Sequence, residues 1–154
     1  MSLDLQQSQV APMEELGPLM RELLSSGQSV HFSPKGISML PMLREGKDSV
    51  VLSPLPARLK RYDIPLYLRQ DGTYVLHRIV ELGDTFTCLG DNQFVLEPGV
   101  TREQMIGVVT GFYREGRYHS VKSLPYRMYR CLWYRTRYLR HFWRRGVRWL
   151  RRHL

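Results

Sequence analysis

Apolar and polar residues alternate with a period of two through the middle of the chain, and this pattern most limits the folds open to it. Val30 and Phe32 alternate with Ser29, His31 and Ser33, as in a half-buried strand. The same alternation predicts further strands over 48–53, 64–69, 73–82, 85–89 and 105–113. Short strands at this spacing predict a mainly β domain over 28–123, a small and partly closed antiparallel β-structure.

Two short polar segments predict tight turns between these strands. Gln70-Asp71-Gly72-Thr73 predicts a hairpin with a type I′ turn, because an Asp-Gly pair accepts positive φ angles. Gly83-Asp84 offers a second tight turn. The strands on either side of each turn are therefore expected to pair antiparallel.

The segment before the β domain divides into two parts. Residues 1–12 are polar and are expected to form a disordered lead-in. Residues 13–27 predict a short amphipathic helix that packs on the body and stops at Gly27. Its apolar stripe consists of Leu16, Met20, Leu23 and Leu24.

The tail, 124–154, returns to helical spacing and is strongly basic. Residues 1–115 hold all 14 acidic residues against 11 lysines and arginines, whereas 12 lysines and arginines and no acid follow from Gly116 onward. Apolar residues at helical spacing predict one face of an amphipathic helix, made of Met128, Leu132, Leu139, Trp143, Val147, Leu150 and Leu154.

A basic, aromatic-rich helix of this kind has three uses. It can lie on an anionic membrane, bind nucleic acid through phosphate contacts and stacking, or pack on the body with a solvated basic face. The aligned stripe and the three tryptophans favour the membrane. An anionic membrane surface bound through 124–154 is therefore the expected partner, and nucleic acid is not.

Length and cysteine usage set further limits. The 154 residues suit one domain with appendages. Cys88 and Cys131 are far apart and have no metal-ligand spacing, which favours free thiols in a reducing compartment, and no metal or cofactor is predicted. No run approaches the ~18 apolar residues of a membrane span, and the polar N-terminus lacks the order of a secretory signal. The sequence thus predicts a cytoplasmic, peripherally membrane-bound protein.

The densest chemical signal surrounds Ser38. This serine lies between Gly36 and Pro41, directly after a predicted strand, where the backbone must turn sharply. Such a turn exposes a hydroxyl and aims backbone N–H groups at one point, as an oxyanion requires. Most serines in such loops are plain turn residues, so the signal needs a partner.

A base and a carboxylate complete the pattern. His77 lies in the predicted strand 73–82, on the same face as Val75 and Ile79, where a hydrogen-bonded core histidine is the alternative reading. Asp91 follows in a Gly-Asp-Asn turn, with Glu97 six residues later. Read together with the serine and the histidine, this segment offers a carboxylate that could orient the histidine and stabilise its protonated form, the third role in a catalytic triad.

The order GISMLP, LHRIV, LGDNQ and IGVVTG resembles the signal peptidase I family and its relatives, the self-cleaving repressor peptidases. The resemblance covers about 30–112. It implies that Ser38 is the nucleophile and that His77 is the base, as in the archaeal and endoplasmic-reticulum branch. It also implies that Glu97 is the orienting carboxylate, with Asp91 as the alternative. Gly36, Ile37 and Met39 are the expected substrate-binding residues around the nucleophile.

The chain departs from the family pattern at three places. Gly36 stands where a serine often assists the oxyanion, Gly46-Lys47-Asp48 carries one inserted residue, and Glu97 replaces an aspartate. The resemblance implies a serine endopeptidase that removes a leader or signal-like peptide, with a peptide or protein as its substrate. The alternative is a weak or inactive peptide-binding module on the same fold. A self-cleaving transcriptional regulator is a poorer fit, because only about 30 residues precede the GISMLP segment.

Overall fold

The computed structural model describes residues 3–4, 13–143 and 147, and its architecture is mainly antiparallel β, as predicted. Two α-helices flank the strands, α1 over Met13–Ser25 and α2 over Leu124–Arg135, and helical backbone resumes over 137–143. A 3₁₀ turn over Arg102–Gln104 precedes the longest of the described strands. The strands are β1 Leu3–Asp4, β2 Val30–Phe32, β3 Asp48–Ser53, β4 Pro65–Leu68, β5 Tyr74–Leu76, β6 Arg78–Glu81, β7 Phe86–Leu89, β8 Glu97–Val100, β9 Met105–Arg114 and β10 Arg117–Ser120.

These strands form two sheets. The larger runs in the order β1-β2-β3-β9-β4-β5, with β10 also paired to β9, and the smaller runs β6-β7-β8. Every pair is antiparallel except β1 with β2. In the part of the chain that the structure describes, neither sheet closes into a barrel. Strand β9 is central, because it pairs with β3, β4 and β10.

Helix α1 covers the larger sheet, and its sequence explains both its packing and its end. Met20 and Leu24 from the predicted stripe are buried, and Leu24 reaches Gly107 of β9. The helix ends where Gly27 adopts a positive φ of 83° and donates its N–H to the carbonyl of Leu24. Glycine takes this left-handed conformation without strain, so it stops the helix as the sequence predicts.

Two apolar clusters lie on the sheets. The first joins α1, the larger sheet, the segment around Met39 to Leu43 and Tyr126 of α2. The second consists of Leu59, Tyr67, Val75, Ile79, Cys88, Val100, Met105 and Val108. Because its members come from strands of both sheets, this second cluster holds the two sheets together. Burial raises the pKa of the Cys88 thiol to about 12, whereas Cys131 is exposed on α2.

The prediction of one continuous strand over 73–82 is wrong. It divides at His77 into β5 of the larger sheet and β6 of the smaller one. The alternation of apolar and polar residues does not reveal the break, because all residues from Val75 to Val80 are buried, whichever face they occupy. Val75 and Ile79 nevertheless share the second cluster, as the predicted common face requires.

The hairpin over 70–73 is present, but its predicted turn type is wrong. Of Asp71 and Gly72, only Gly72 has a positive φ, of 84°, whereas a type I′ turn needs positive values at both. The N–H of Arg69 donates to the carbonyl of Thr73 at 2.9 Å, so the loop has three residues. The carboxylate of Asp71 accepts the N–H of Thr73 at 2.9 Å, which favours a local turn before the glycine.

Both ends of the chain differ from expectation. Within the predicted lead-in 1–12, Leu3–Asp4 pair with β2, and the rest lies outside the described residues. The single helix predicted over 124–154 is interrupted at Thr136, and its apolar positions Leu150 and Leu154 lie outside the described residues. None of the helices in the described ranges combines the length and apolar character needed to span a bilayer.

We expect Gly107→Ala to lower the free energy of unfolding by about 1–3 kcal/mol, because an added methyl group overpacks this buried strand. Its Cβ would lie 2.9 Å from each of three atoms, in Leu24, Leu52 and the carbonyl of Ser53. Urea denaturation followed by circular dichroism measures the effect. The control is Gly83→Ala, whose Cβ would meet only one backbone oxygen, at 3.4 Å. Equal stability of the two variants would contradict the packing at β9.

Candidate active site

Ser38 lies in a tight turn that begins at Gly36 and is separated from the end of β2 by residues 33–35. Gly36 has a φ of 89°, and no atom lies within 4 Å of a Cβ built on it, so the backbone conformation alone calls for glycine. The turn closes when the N–H of Leu40 donates to the carbonyl of Ile37 at 3.2 Å. Met39, immediately after the serine, is buried in the first apolar cluster and anchors the turn.

The Gly-Asp-Asn segment, residues 90–92, holds this turn by hydrogen bonds. Asn92 donates its backbone N–H to the carbonyl of Ser38 at 2.8 Å and its side-chain amide to the carbonyl of Ile37 at 3.1 Å. A Cβ on Gly90 would lie 2.7 Å from the Ser38 carbonyl oxygen. Glycine is therefore needed here for close approach, and two segments distant in sequence hold the serine in place.

His77 lies where the chain passes from β5 to β6, and it is buried. Its Nδ1 is 3.4 Å from Oε2 of Glu97 and 3.3 Å from the hydroxyl of Tyr67. Both contacts are on the same side of the imidazole ring. The second nitrogen, Nε2, is consequently the one left for chemistry.

A dense set of hydrogen bonds fixes Glu97. Arg69 donates to both carboxylate oxygens, at 2.6 and 2.7 Å, and the hydroxyl of Tyr67 donates to Oε2 at 2.7 Å. Glu97 begins β8 and is opposite Cys88 of β7 in the sheet register. Hydrogen bonds from Arg69 hold the pKa of the Glu97 carboxyl at about 2, so the group is ionised at neutral pH.

The environment favours a neutral His77. Burial lowers the pKa of the imidazole, and the charge of Glu97 offsets only part of this effect. A neutral imidazole whose Nδ1–H faces the carboxylate and the tyrosine oxygen carries its lone pair on Nε2. His77 is thus in the state that a general base requires.

Asp91, the other carboxylate considered for His77, is bound elsewhere. Arg78 donates to its two oxygens at 2.8 and 2.7 Å, and both side chains are buried. Tyr129 of α2 donates a further bond to Asp91 at 3.2 Å. The adjacent residues His77 and Arg78 thus each meet a different carboxylate. Glu97 is therefore the carboxylate at the histidine ring.

Ser38 and His77 line one cleft of about 210 Å³. Of the predicted substrate-binding residues, Gly36 and Met39 also line it, whereas Ile37 is exposed beside it. The remaining lining residues are Pro34, Lys35, Leu43, Arg69, Tyr74, Val75, Leu76 and Gln93. The structure thus brings the predicted nucleophile and the predicted base to one concave surface.

Sequence reasoning missed Tyr67 and Arg69, although a signal for them exists. They are two residues apart on β4 and its extension, so their side chains share a face of the strand. A tyrosine and an arginine on one face can both donate hydrogen bonds to a carboxylate, but the sequence pattern does not indicate which carboxylate they bind. Asn92 was read only as part of a turn, and its bond to the Ser38 carbonyl depends on tertiary packing.

Comparisons of the chain with protein-family models, with curated proteins and with solved structures found no match. Among the described residues, no three His, Cys, Asp or Glu side chains are grouped so that they could hold a metal ion.

Glu97→Gln should lower the pKa of His77, because it removes the negative charge that partly offsets burial. The C–H resonances of the imidazole, followed by NMR over a pH titration, measure this directly. Asp84→Asn removes an exposed charge in the β6–β7 turn and serves as the control. A raised or unchanged pKa in Glu97→Gln would contradict the pairing of Glu97 with the ring.

Asp91→Ala should lower the free energy of unfolding by about 3–5 kcal/mol, because it leaves the charge of Arg78 buried without its partner. Thermal and urea denaturation report the change. Asp84→Ala, at an exposed turn, should stay within about 0.5 kcal/mol of the parent protein. Near-parental stability of Asp91→Ala would mean that water already solvates the arginine.

Proposed function

We propose that this chain is a serine endopeptidase of the signal-peptidase type, with Ser38 as nucleophile, His77 as general base and Glu97 as the residue that positions the base. The observation that carries the proposal is the shared cleft: Ser38 and His77 line the same surface, and the Nδ1 side of the ring is held by a carboxylate that is itself fixed. Serine needs an adjacent base to become a nucleophile at neutral pH. We also propose that the β domain has the fold of the signal peptidases and repressor peptidases.

The proposed reaction has two steps. Ser38 Oγ attacks the carbonyl carbon of the scissile peptide bond while Nε2 of His77 takes its proton, and Glu97 stabilises the resulting imidazolium. The C–N bond then breaks, the amine leaves with the proton from His77, and the acyl group stays on Ser38. In the second step water gives a proton to His77 and attacks the carbonyl carbon of the acyl ester. The bond from this carbon to Ser38 Oγ then breaks, His77 returns the proton to Oγ, and the new carboxyl terminus leaves as the product.

Backbone N–H groups would stabilise the oxyanion in this site, notably that of Ser38. The family often adds a serine hydroxyl two residues before the nucleophile, but this chain has Gly36 there, with a φ of 89°. A serine in that conformation would be strained, so the conformation of this turn disfavours the extra donor. Loss of one oxyanion donor costs on the order of 10²-fold in rate, which favours a slow enzyme.

An edge strand next to the cleft supports a peptide as the substrate. Strand β5 ends the order of the larger sheet, and its residues Tyr74, Val75 and Leu76 line the cleft. An edge strand offers unpaired backbone groups to a further strand. An extended peptide paired with β5 would pass between His77 and the turn that carries Ser38.

We place this activity at a membrane surface, with the basic tail as a peripheral anchor. Removal of a leader from an exported or modified peptide fits such a location. The cytoplasmic side, expected from the sequence, stays a prediction, and detection of the domain outside the cell would overturn it.

The test is cleavage of a peptide library by the purified protein on anionic liposomes. Ser38→Ala and His77→Ala should each reduce cleavage by at least about 10³-fold, because each removes a group that takes part directly in the bond change. Because burial lowers the pKa of His77, the acid limb of the pH–rate profile should lie below 6.5, the ordinary value.

Ser33→Ala is the matched control, since Ser33 is exposed and close in sequence. A fluorophosphonate probe that labels Ser38 only when His77 is present gives an independent readout. Intact peptides and no labelling under all conditions would contradict the peptidase and assign the fold to a peptide-binding module.

A further inference from the structure

The outward face of the C-terminal helical segment is apolar. Leu124, Met128 and Leu132 follow one another at four-residue intervals on α2, and Leu139 and Trp143 continue along 137–143. Their exposed fractions range from 65 to 76%. We call these five residues the outer stripe. Large exposed apolar patches of this kind mark interaction surfaces.

The opposite face of the same segment is fixed to the body. Tyr126 is buried and its hydroxyl accepts a bond from Arg78 at 2.8 Å. Trp133 donates its indole N–H to the backbone carbonyl of Asp91 at 2.8 Å. Rotating α2 to bury the outer stripe would break these bonds, so the stripe stays outward in the folded protein.

The charge around the stripe is of one sign. Residues 116–143 contain two basic residues before α2, Arg117 and Lys122, five arginines in the helical segment, and no aspartate or glutamate. Arg127 and Arg135 are exposed beside the stripe. A second copy of the chain would bring the same positive charge against this face, whereas an anionic lipid surface neutralises it.

We propose that the outer stripe inserts into the headgroup region of an anionic phospholipid bilayer, with the flanking arginines on lipid phosphates. The proposed function names only the basic tail as the membrane anchor, whereas this inference names the five residues that contact the lipid.

The same helix determines how far the active site lies from the lipid. Trp133 holds the carbonyl of Asp91, and the next residue, Asn92, holds the carbonyl of Ser38 at 2.8 Å. A helix with its side chains is about 10–12 Å across, so docking places the Ser38 turn roughly one helix diameter from the headgroups. This inference rests on the proposed function. The short distance between the Ser38 turn and the headgroups would select substrate peptides that are anchored to the membrane or delivered along it.

The experiment measures binding of the full chain to vesicles, in the Ser38→Ala background so that the result does not depend on cleavage. Vesicles of equimolar phosphatidylglycerol and phosphatidylcholine are compared with vesicles of phosphatidylcholine alone. We expect binding to the anionic vesicles, and a loss of about tenfold or more in Leu132→Asp, because burial of a leucine is replaced by burial of a charge.

The matched control is Leu82→Asp, which makes the same substitution at a residue that is 53% exposed in the turn between β6 and β7. Equal weakening in both variants would show attraction by net charge alone and overturn the proposal. A dimer in sedimentation that Leu132→Asp dissociates, without vesicle binding, would assign the stripe to a second copy and also overturn it. Vesicle binding by a protein whose parent cleaves nothing would support this inference and contradict only the peptidase.

Discussion

The buried ion pair between Arg78 and Asp91 is the contact on which the rest of the site depends. It joins β6 to the Gly-Asp-Asn segment, and α2 adds two bonds: the Tyr126 hydroxyl accepts from Arg78, and the Tyr129 hydroxyl donates to Asp91. Two opposite charges out of water are stable only while both stay in place, so the three elements must assemble together. Because the segment that carries Asp91 also holds the Ser38 carbonyl, the turn that carries Ser38 is positioned through an ion pair that does not line the cleft.

Much of the fold follows from period-two patterning, and the exceptions have physical causes. Strand β8 escapes prediction because Pro98 and Gly99 interrupt any alternation. It nevertheless pairs with β7, and its register places Glu97 opposite Cys88. The break at His77 is invisible to patterning because burial on both sides continues across it. A sequence records which residues are buried better than it records which sheet buries them.

The choice between two carboxylates shows the same limit at the site. Both Asp91 and Glu97 fit the spacing of a triad, so sequence alone left them open. Only the contacts in the folded chain distinguish them, because the adjacent residues His77 and Arg78 each meet a different carboxylate. The arginine takes Asp91, and Glu97 is left for the histidine. The sequence also does not supply the tyrosine and arginine that fix Glu97, because β4 and β8 belong to different sheets and only the packing of these sheets brings the side chains together.

The tail reverses the arrangement expected of a helix packed on its body. In that arrangement apolar residues face inward and arginines face water, whereas here the apolar stripe faces outward. Several arginines instead stack on inward aromatic rings, with Arg140 3.6 Å from the ring centre of Trp133 and Arg137 near Tyr134. Guanidinium groups pack on aromatic faces at little cost in hydration, so they can hold the helix to the body. Rings occupied in this way are not available to stack on bases, which weighs against nucleic acid. The arrangement leaves the apolar side free for lipid.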